Sequence, residues 1–208
     1  MELQDIRAVL FDMDGTLVDS DAVVDRSWTQ WATEYDVPVA DVLAIAHGSP
    51  AEATIGRLRP DLPPAERAEA VARVLDIESS DLSDVVPTPG ALELTALLDR
   101  RGLPWAVYTS ASTRLAKVRL GAVGISPSIL VTLDDVSRGK PNPEGYLRAA
   151  ELLGVPAQQC LVVEDTEVGL SAGRAAGALT AGLKGIPADV QLTDLHDLVR
   201  RFESLTAE

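Results

Sequence analysis

Short runs that are apolar at every position, alternating with helix-periodic segments, constrain this chain more than any other feature. The runs are Ala8–Phe11, Pro104–Tyr108, Ile129–Val131, Cys160–Val163 and Ala178–Gly182. Between the later ones, Ala91–Arg101, Thr113–Leu120, Glu144–Leu153 and Val168–Ala176 place apolar residues at helical spacing. A continuously apolar strand is one covered on both faces, and helices between such strands return the chain so that they pair in parallel. The pattern predicts an α/β fold built on a doubly wound parallel sheet. It is interrupted once. From Asp19 to about Pro87 only helical periodicity appears: Val23, Val24, Ser27, Trp28, Trp31, Ala32 and Tyr35 share one face of a helix that Ser20 is placed to cap. Further helices are expected over Ala40–Ala46, Pro50–Leu58 and Pro64–Ser79. Residues 19–87 also carry a net charge of −9 out of −14 for the whole chain, and the segment closes on Pro-Thr-Pro-Gly at Pro87–Gly90. The expected division is a core of residues 1–18 and 88–208, with an α-helical cap of residues 19–87 inserted straight after the first strand.

The charge narrows the range of partners. A chain at −14 with no basic stripe cannot neutralise a phosphate backbone, so nucleic acid is not an expected partner. Cys160 is the single cysteine, which excludes an internal disulfide and a cysteine-cluster metal site and suits a reducing compartment. With no targeting pattern and no apolar run of spanning length, the expectation is a cytoplasmic protein without a membrane partner.

Chemistry is written at the ends of the expected strands, where open parallel sheets gather ligands. "FDMDGT" puts Asp12 and Asp14 after the first strand, and alternation along an extended segment turns both to one side. An aspartate can attack phosphorus to form an aspartyl-phosphate, and an acid two positions on can protonate the leaving alcohol and later activate water. Two anions then approach each other, so a cation is required; Mg²⁺, a hard oxygen-seeking ion, suits a chain rich in acids and poor in cysteine and histidine. Thr109 and Ser110 follow the second run as a hydroxyl pair able to hold phosphate oxygens, with an N-cap as the ordinary alternative. Glu164 and Asp165 follow the fourth run; their ordinary alternative is an acidic helix start. Lys140 stands in "SRGKPNPEGYL" and is one of only three lysines beside fifteen arginines, so its compact charge at this place is distinctive. The Gly169, Gly173, Gly177 series, interrupted by Arg174, reads as close packing of a helix on the sheet, and Trp28 and Trp31 read as cap core.

Taken together, "DMDGT", Thr109 in "VYTSAS", Lys140 and "VVEDT" resemble the four motifs of the haloacid dehalogenase superfamily, with a Rossmann-like core and a small helical cap of the type inserted after the first motif. The resemblance implies Asp12 as nucleophile and Mg²⁺ ligand, Asp14 as acid/base and ligand through its carbonyl, and Asp165 as a direct ligand. It implies Glu164 as a ligand or a supporting acid, and Lys140 with Thr109 and Ser110 as phosphate-binding groups. Asp14 favours phosphoryl transfer over dehalogenation, since halide departs without a proton. The same stretches, with "AIAHGSPAEATIGRLRP" in the cap, resemble sugar and polyol phosphatases, which implies a small phosphorylated sugar or polyol as substrate. Asp19, His47, Gly48, Arg57 and Arg59 are candidates to line the cleft. A β-phosphoglucomutase-like isomerase or a phosphoglycolate phosphatase shares these catalytic residues, whereas a receiver-type signalling module lacks the helical insert. One chain holds a complete site, so a monomer is expected.

Overall fold

The computed structural model describes residues 3–205. In chain order it contains β1 (Ala8–Phe11), β2 (Val18–Asp19), α1 (Asp21–Glu34), α2 (Val39–Ala46), α3 (Ala51–Leu58), α4 (Pro64–Ser80), β3 (Val86–Pro87), α5 (Ala91–Arg101), β4 (Trp105–Tyr108), α6 (Thr113–Ala122), β5 (Leu130–Val131), α7 (Glu144–Leu153), β6 (Cys160–Glu164), α8 (Glu167–Ala175), β7 (Leu179–Gly182), β8 (Val190–Gln191) and α9 (His196–Ser204). Every expected strand and helix is present, its ends within two residues of the expectation. The elements without a sequence signal are β2, β3 and β8, two residues each and too short to show a period, and α9, whose buried Leu198 and Phe202 are interspersed with charge.

The main sheet has the order β5-β4-β1-β6-β7-β8, with every pairing parallel. The chain starts in the middle, with Val9 opposite both Trp105 and Leu161, and later strands add outward on either side. The direction of winding reverses at β1, so the crevice of this doubly wound sheet opens at the C-terminal ends of β1, β4 and β6. Burial explains why β1 has no polar residue. Val9 and Phe11 face one layer, packing with Leu94 and Leu98 of α5, Leu120 of α6 and Phe202 of α9. Ala8 and Leu10 face the other, with Tyr146 and Ala149 of α7 and Ala172 of α8. The small residues of α8 let it lie close on the sheet: a Cβ on Gly173 would come 2.8 Å from Val162 Cγ1 and 3.3 Å from Thr180 Cγ2. None of the helices in the described residues is long and apolar enough to cross a membrane.

Helices α1–α4 bury a separate cluster that includes Trp28, Trp31, Val42, Ile55 and Val74. Trp31 anchors it: its ring stacks on Tyr35 at 4.7 Å, meets Trp28 edge-on at 5.4 Å, and its Nε1 donates to the Ala70 carbonyl at 3.0 Å. Both chain crossings between this bundle and the sheet run through the antiparallel β2–β3 ribbon, where Val18 pairs with Pro87 and Asp19 with Val86. Ser20 departs from the expectation. It occupies the N-cap position of α1, but its side chain makes no cap bond; the hydroxyl donates instead to Asp14 Oδ1 at 2.7 Å.

The glycines give a direct test of this packing. Gly173→Ala is expected to lower stability by about 1–3 kcal/mol, the usual cost of overpacking. Gly121→Ala, in α6 with no atom within 4 Å of the added carbon, should raise it by about 0.5–1 kcal/mol. Urea denaturation of the two variants measures both signs.

Candidate active site

The strand ends bring four of the expected residues into one cluster. Asp12 directly follows β1, and its N–H still completes the ladder to the Val163 carbonyl at 3.0 Å. Lys140 reaches in from the loop before α7, and its Nζ donates to Asp12 Oδ1 and, at 2.6 Å, to Glu164 Oε1. The same ammonium lies over the Tyr108 ring, 5.0 Å from its centroid, and the Tyr146 ring at 5.3 Å. Asp12, Glu164 and Asp165 each bring a carboxylate oxygen within 4.8 Å of the others.

These groups are nearly dry, and burial decides their charges. Burial, and then the Glu164 carboxylate, push the Asp12 carboxyl well above its ordinary value, against the pull of Lys140. Asp165 is likewise raised by burial and Glu164, although Lys184 Nζ stands 3.0 Å from its Oδ2. Burial alone would lower Lys140, but Asp12 and Glu164 outweigh it and hold the ammonium above the usual lysine range. The acids outnumber the cation they surround. Asp165 Oδ1 is buried without a hydrogen-bond partner. A surplus of carboxylate and one unsatisfied buried oxygen fit a divalent cation held by Asp12 and Asp165.

Glu164 has a different environment from its two neighbours. It is fully buried, and Oε1 accepts from Lys140 and from the Tyr146 hydroxyl at 2.8 Å. Oε2 accepts from the N–H groups of Asp165 and Thr166 and from the Thr166 hydroxyl at 3.0 Å. With both oxygens occupied in this way, the side chain acts on Lys140, fixing the ammonium against Asp12. Gly169 makes room for it, because a Cβ there would lie 1.7 Å from Oε1. The acid pair does not cap the next helix; Thr166 does, accepting from the Gly169 N–H at 3.1 Å.

Asp14 belongs to a second group. Met13 turns into the core, and its carbonyl takes the N–H groups of Thr16, Leu17 and Val18, so the chain bends sharply after Asp14. Gly15 at φ +79° makes the bend possible, and its missing side chain is required by Asp165, whose Oδ2 would lie 2.0 Å from a Cβ. Asp14 Oδ1 accepts from Ser20 and, at 2.9 Å, from Nη1 of Arg119, a buried residue of α6.

Thr109 and Ser110 lie in the turn after β4, beside β1, and neither caps α6. That role belongs to Ser112, which accepts from the Leu115 N–H, while Thr109 Oγ1 accepts from the Ala111 N–H at 3.0 Å. In the cap, Gly48 approaches the core, with a Cβ there reaching 3.5 Å from Thr166 Cγ2. His47 is half-exposed and held by α1, its Nε2 2.7 Å from Asp25 Oδ1 and its Nδ1 3.4 Å from Asp21. Asp19 lines a cavity of about 220 Å³ that includes Gly15 and Lys184 but none of Asp12, Asp14 and Lys140. Arg59 bonds both oxygens of Asp61 and the Tyr35 carbonyl, all within the helical insert. Arg57 is exposed on α3.

Sequence reasoning missed Tyr108, Tyr146, Arg119 and Ser20. Their spacing is that of ordinary strand, helix-face and capping residues, and only the fold brings Tyr108 under Lys140 and the other three onto Glu164 and Asp14. Tyr146→Phe strips one donor from buried Glu164 and should cost about 1–3 kcal/mol. Gly169→Ala should displace Glu164 and Lys140 together and remove activity. Thermal denaturation checks the first, and turnover at matched folded concentration the second.

Residues 6–177 match the family model of haloacid dehalogenase-like hydrolases. Hexitol phosphatase A of Escherichia coli is 38% identical over 93% of this chain and 89% of its own length. The 2-deoxyglucose-6-phosphate phosphatase 1 of Saccharomyces cerevisiae is 36% identical over 84% of this chain and 78% of its own. Among solved structures, a hydrolase from Pseudomonas syringae covers 96% of this chain and 99% of its own, with a TM-score of 0.82 at 27% identity. With its acids and lysine at the switch point of a parallel sheet and this match across most of its length, the chain belongs to the haloacid dehalogenase-like hydrolase family.

Proposed function

We propose that the protein is a Mg²⁺-dependent phosphatase of small sugar or polyol phosphates, working through an aspartyl-phosphate on Asp12. The observation that carries this reading is the buried Lys140 ammonium clamped between Asp12 and Glu164, beside the unsatisfied oxygen of Asp165. It supplies a carboxylate nucleophile with fixed positive charge next to it, which is what attack on a phosphate dianion requires. The relatives named for hexitol and deoxyglucose phosphates support the substrate class.

An Asp12 oxygen attacks phosphorus while the bond from phosphorus to the ester oxygen breaks, and protonated Asp14 gives its proton to the departing alkoxide. Water then attacks the phosphorus of the aspartyl-phosphate, Asp14 takes a proton from it, and Asp12 is regenerated with release of inorganic phosphate. Lys140 keeps Asp12 oriented and shares the phosphate charge, and Thr109 with Ser110 offers hydroxyl and N–H donors to the other phosphate oxygens. Asp12, Asp165 and the Asp14 carbonyl would hold Mg²⁺, with Glu164 behind them; bound there, the ion supplies charge that offsets the repulsion between carboxylate and phosphate.

The division into a core of residues 1–18 and 88–208 and a cap of residues 19–87 belongs to the same reading, supported by the separate apolar cluster of α1–α4. Asp19, His47 and Gly48 are the proposed specificity positions, and Gly48 against Thr166 is the contact that supports a cap closing over the acids. Closure would exclude water during the attack on Asp12 and readmit it for hydrolysis. Every group invoked comes from a single chain, which supports a monomer, and the single buried Cys160 suits a cytoplasmic setting.

Phosphate release from a panel of hexitol, deoxyhexose, glycerol and glycolate phosphates tests the reading. Release is expected with Mg²⁺ and a hexitol or hexose ester, with none in EDTA and none from Asp12→Asn. A phosphosugar isomer with little free phosphate would make the enzyme a mutase, and activity confined to phosphoglycolate would reject the sugar and polyol class.

A further inference from the structure

The acid/base carboxylate is held by residues outside the strand-end motifs. Arg119 lies in the second turn of α6 and is only 4% exposed. Its Nη1 donates to Asp14 Oδ1 at 2.9 Å, and its Nη2 lies 3.4 Å from Oε1 of Glu78, which is 5% exposed near the end of cap helix α4. Ser20, 1% exposed at the other end of the cap, donates to the same Oδ1. A buried guanidinium is costly unless its charge is matched, and here one carboxylate comes from the core and the other from the cap. Nε and Nη2 of Arg119 have no hydrogen-bond partner. The close, well-formed bond of this side chain is therefore the one to Asp14.

We infer that Arg119 is the positioning residue for the acid/base Asp14, and that Glu78 ties this positioning to the docked cap. The inference rests on the reading of Asp14 given above. Both bonds fall on Oδ1, and among the described residues no bond reaches Oδ2. Oδ1 is thereby kept as an acceptor, and Oδ2 is the oxygen that carries the proton to the ester oxygen as the bond to phosphorus breaks. The rotation of the carboxylate is set by a guanidinium on α6 that also faces Glu78 of cap helix α4, while Arg114 of the same helix pairs with Asp76 of α4 at 2.8 Å. When α4 moves with the cap, the second charge partner of Arg119 moves with it. The aim of Asp14 is then best while the cap covers the site.

A leaving-group comparison separates this role from a structural one. An alkoxide leaves only with a proton, whereas p-nitrophenolate leaves without one, and kcat/KM reports the first chemical step for both esters. Sorbitol 6-phosphate and p-nitrophenyl phosphate are compared in wild type, Arg119→Met, Arg119→Lys and Glu78→Gln, with Asp14→Asn alongside. Arg119→Met is expected to lower kcat/KM about 100-fold on the sorbitol ester and less than about 5-fold on the aryl ester. Arg119→Lys should recover part of the loss. Glu78→Gln should show the same selectivity at smaller size. Because Arg119→Met leaves Glu78 buried without its partner, the double variant Arg119→Met/Glu78→Met, which removes both charges, guards against misfolding and should show the same selectivity. Equal losses on the two esters, or no loss on the sorbitol ester, would overturn the inference. Asp14→Asn reports on the acid/base role separately: an undiminished sorbitol-ester reaction there would remove that role whatever Arg119 does.

Discussion

The site depends on one charge placed where water is absent. Lys140 is a buried ammonium, and such a group survives only if anions and polarisable faces replace its hydration. Asp12 and Glu164 supply the anions, and Tyr108 and Tyr146 supply the faces. Much of the neighbouring sequence serves this arrangement. Tyr146 donates its hydroxyl to Glu164, Gly169 clears the space Glu164 fills, and Gly145 clears the space of Tyr108, whose Cζ would lie 2.1 Å from a Cβ at that position. Four segments far apart in sequence are thereby held to one geometry, and Asp12 sits at the centre with its charge partner in place. That is preorganisation in its electrostatic sense: the dipoles and charges are ordered at the expense of folding energy, not during the reaction.

A second constraint comes from the insertion. A helical bundle that starts at Asp21, ten residues after the end of β1, has to leave and re-enter the core within a few ångströms, and the β2–β3 ribbon accomplishes this with two residue pairs. Because the crossing is so close to Asp14, residues at both ends of the bundle are brought to its carboxylate. Ser20 bonds it directly, and Glu78 faces it through Arg119. The helical bundle has its own apolar core, centred on Trp31.

The architecture was legible because its cause is local. A strand covered on both faces must be apolar throughout, so β1, β4 and β6 announced themselves, and a helix with one buried face must repeat near 3.6 residues, so α1 and α7 did too. The cluster of Asp12, Glu164 and Asp165 was legible for the same reason: carboxylates at the ends of apolar strands have no part in a core. Two-residue strands have no period, so β2, β3 and β8 left no trace. Ser20 stood where a cap belongs, yet its hydroxyl found a stronger acceptor in Asp14, a carboxylate brought close by the turn at Gly15.

By itself the sequence determined the parallel sheet, the inserted helices, and the strand ends that carry Asp12, Asp14, Thr109, Glu164 and Asp165, because each follows from hydrophobic period and chain connectivity. Only the tertiary structure decided what those residues do to one another. That Glu164 spends both oxygens on neighbours while Asp165 keeps one free, and that Arg119 lies between Asp14 and Glu78, depends on side-chain packing across more than a hundred residues of chain. Electrostatic partnership is a matter of distance in a dry interior, and distance between remote residues is not written in any local pattern.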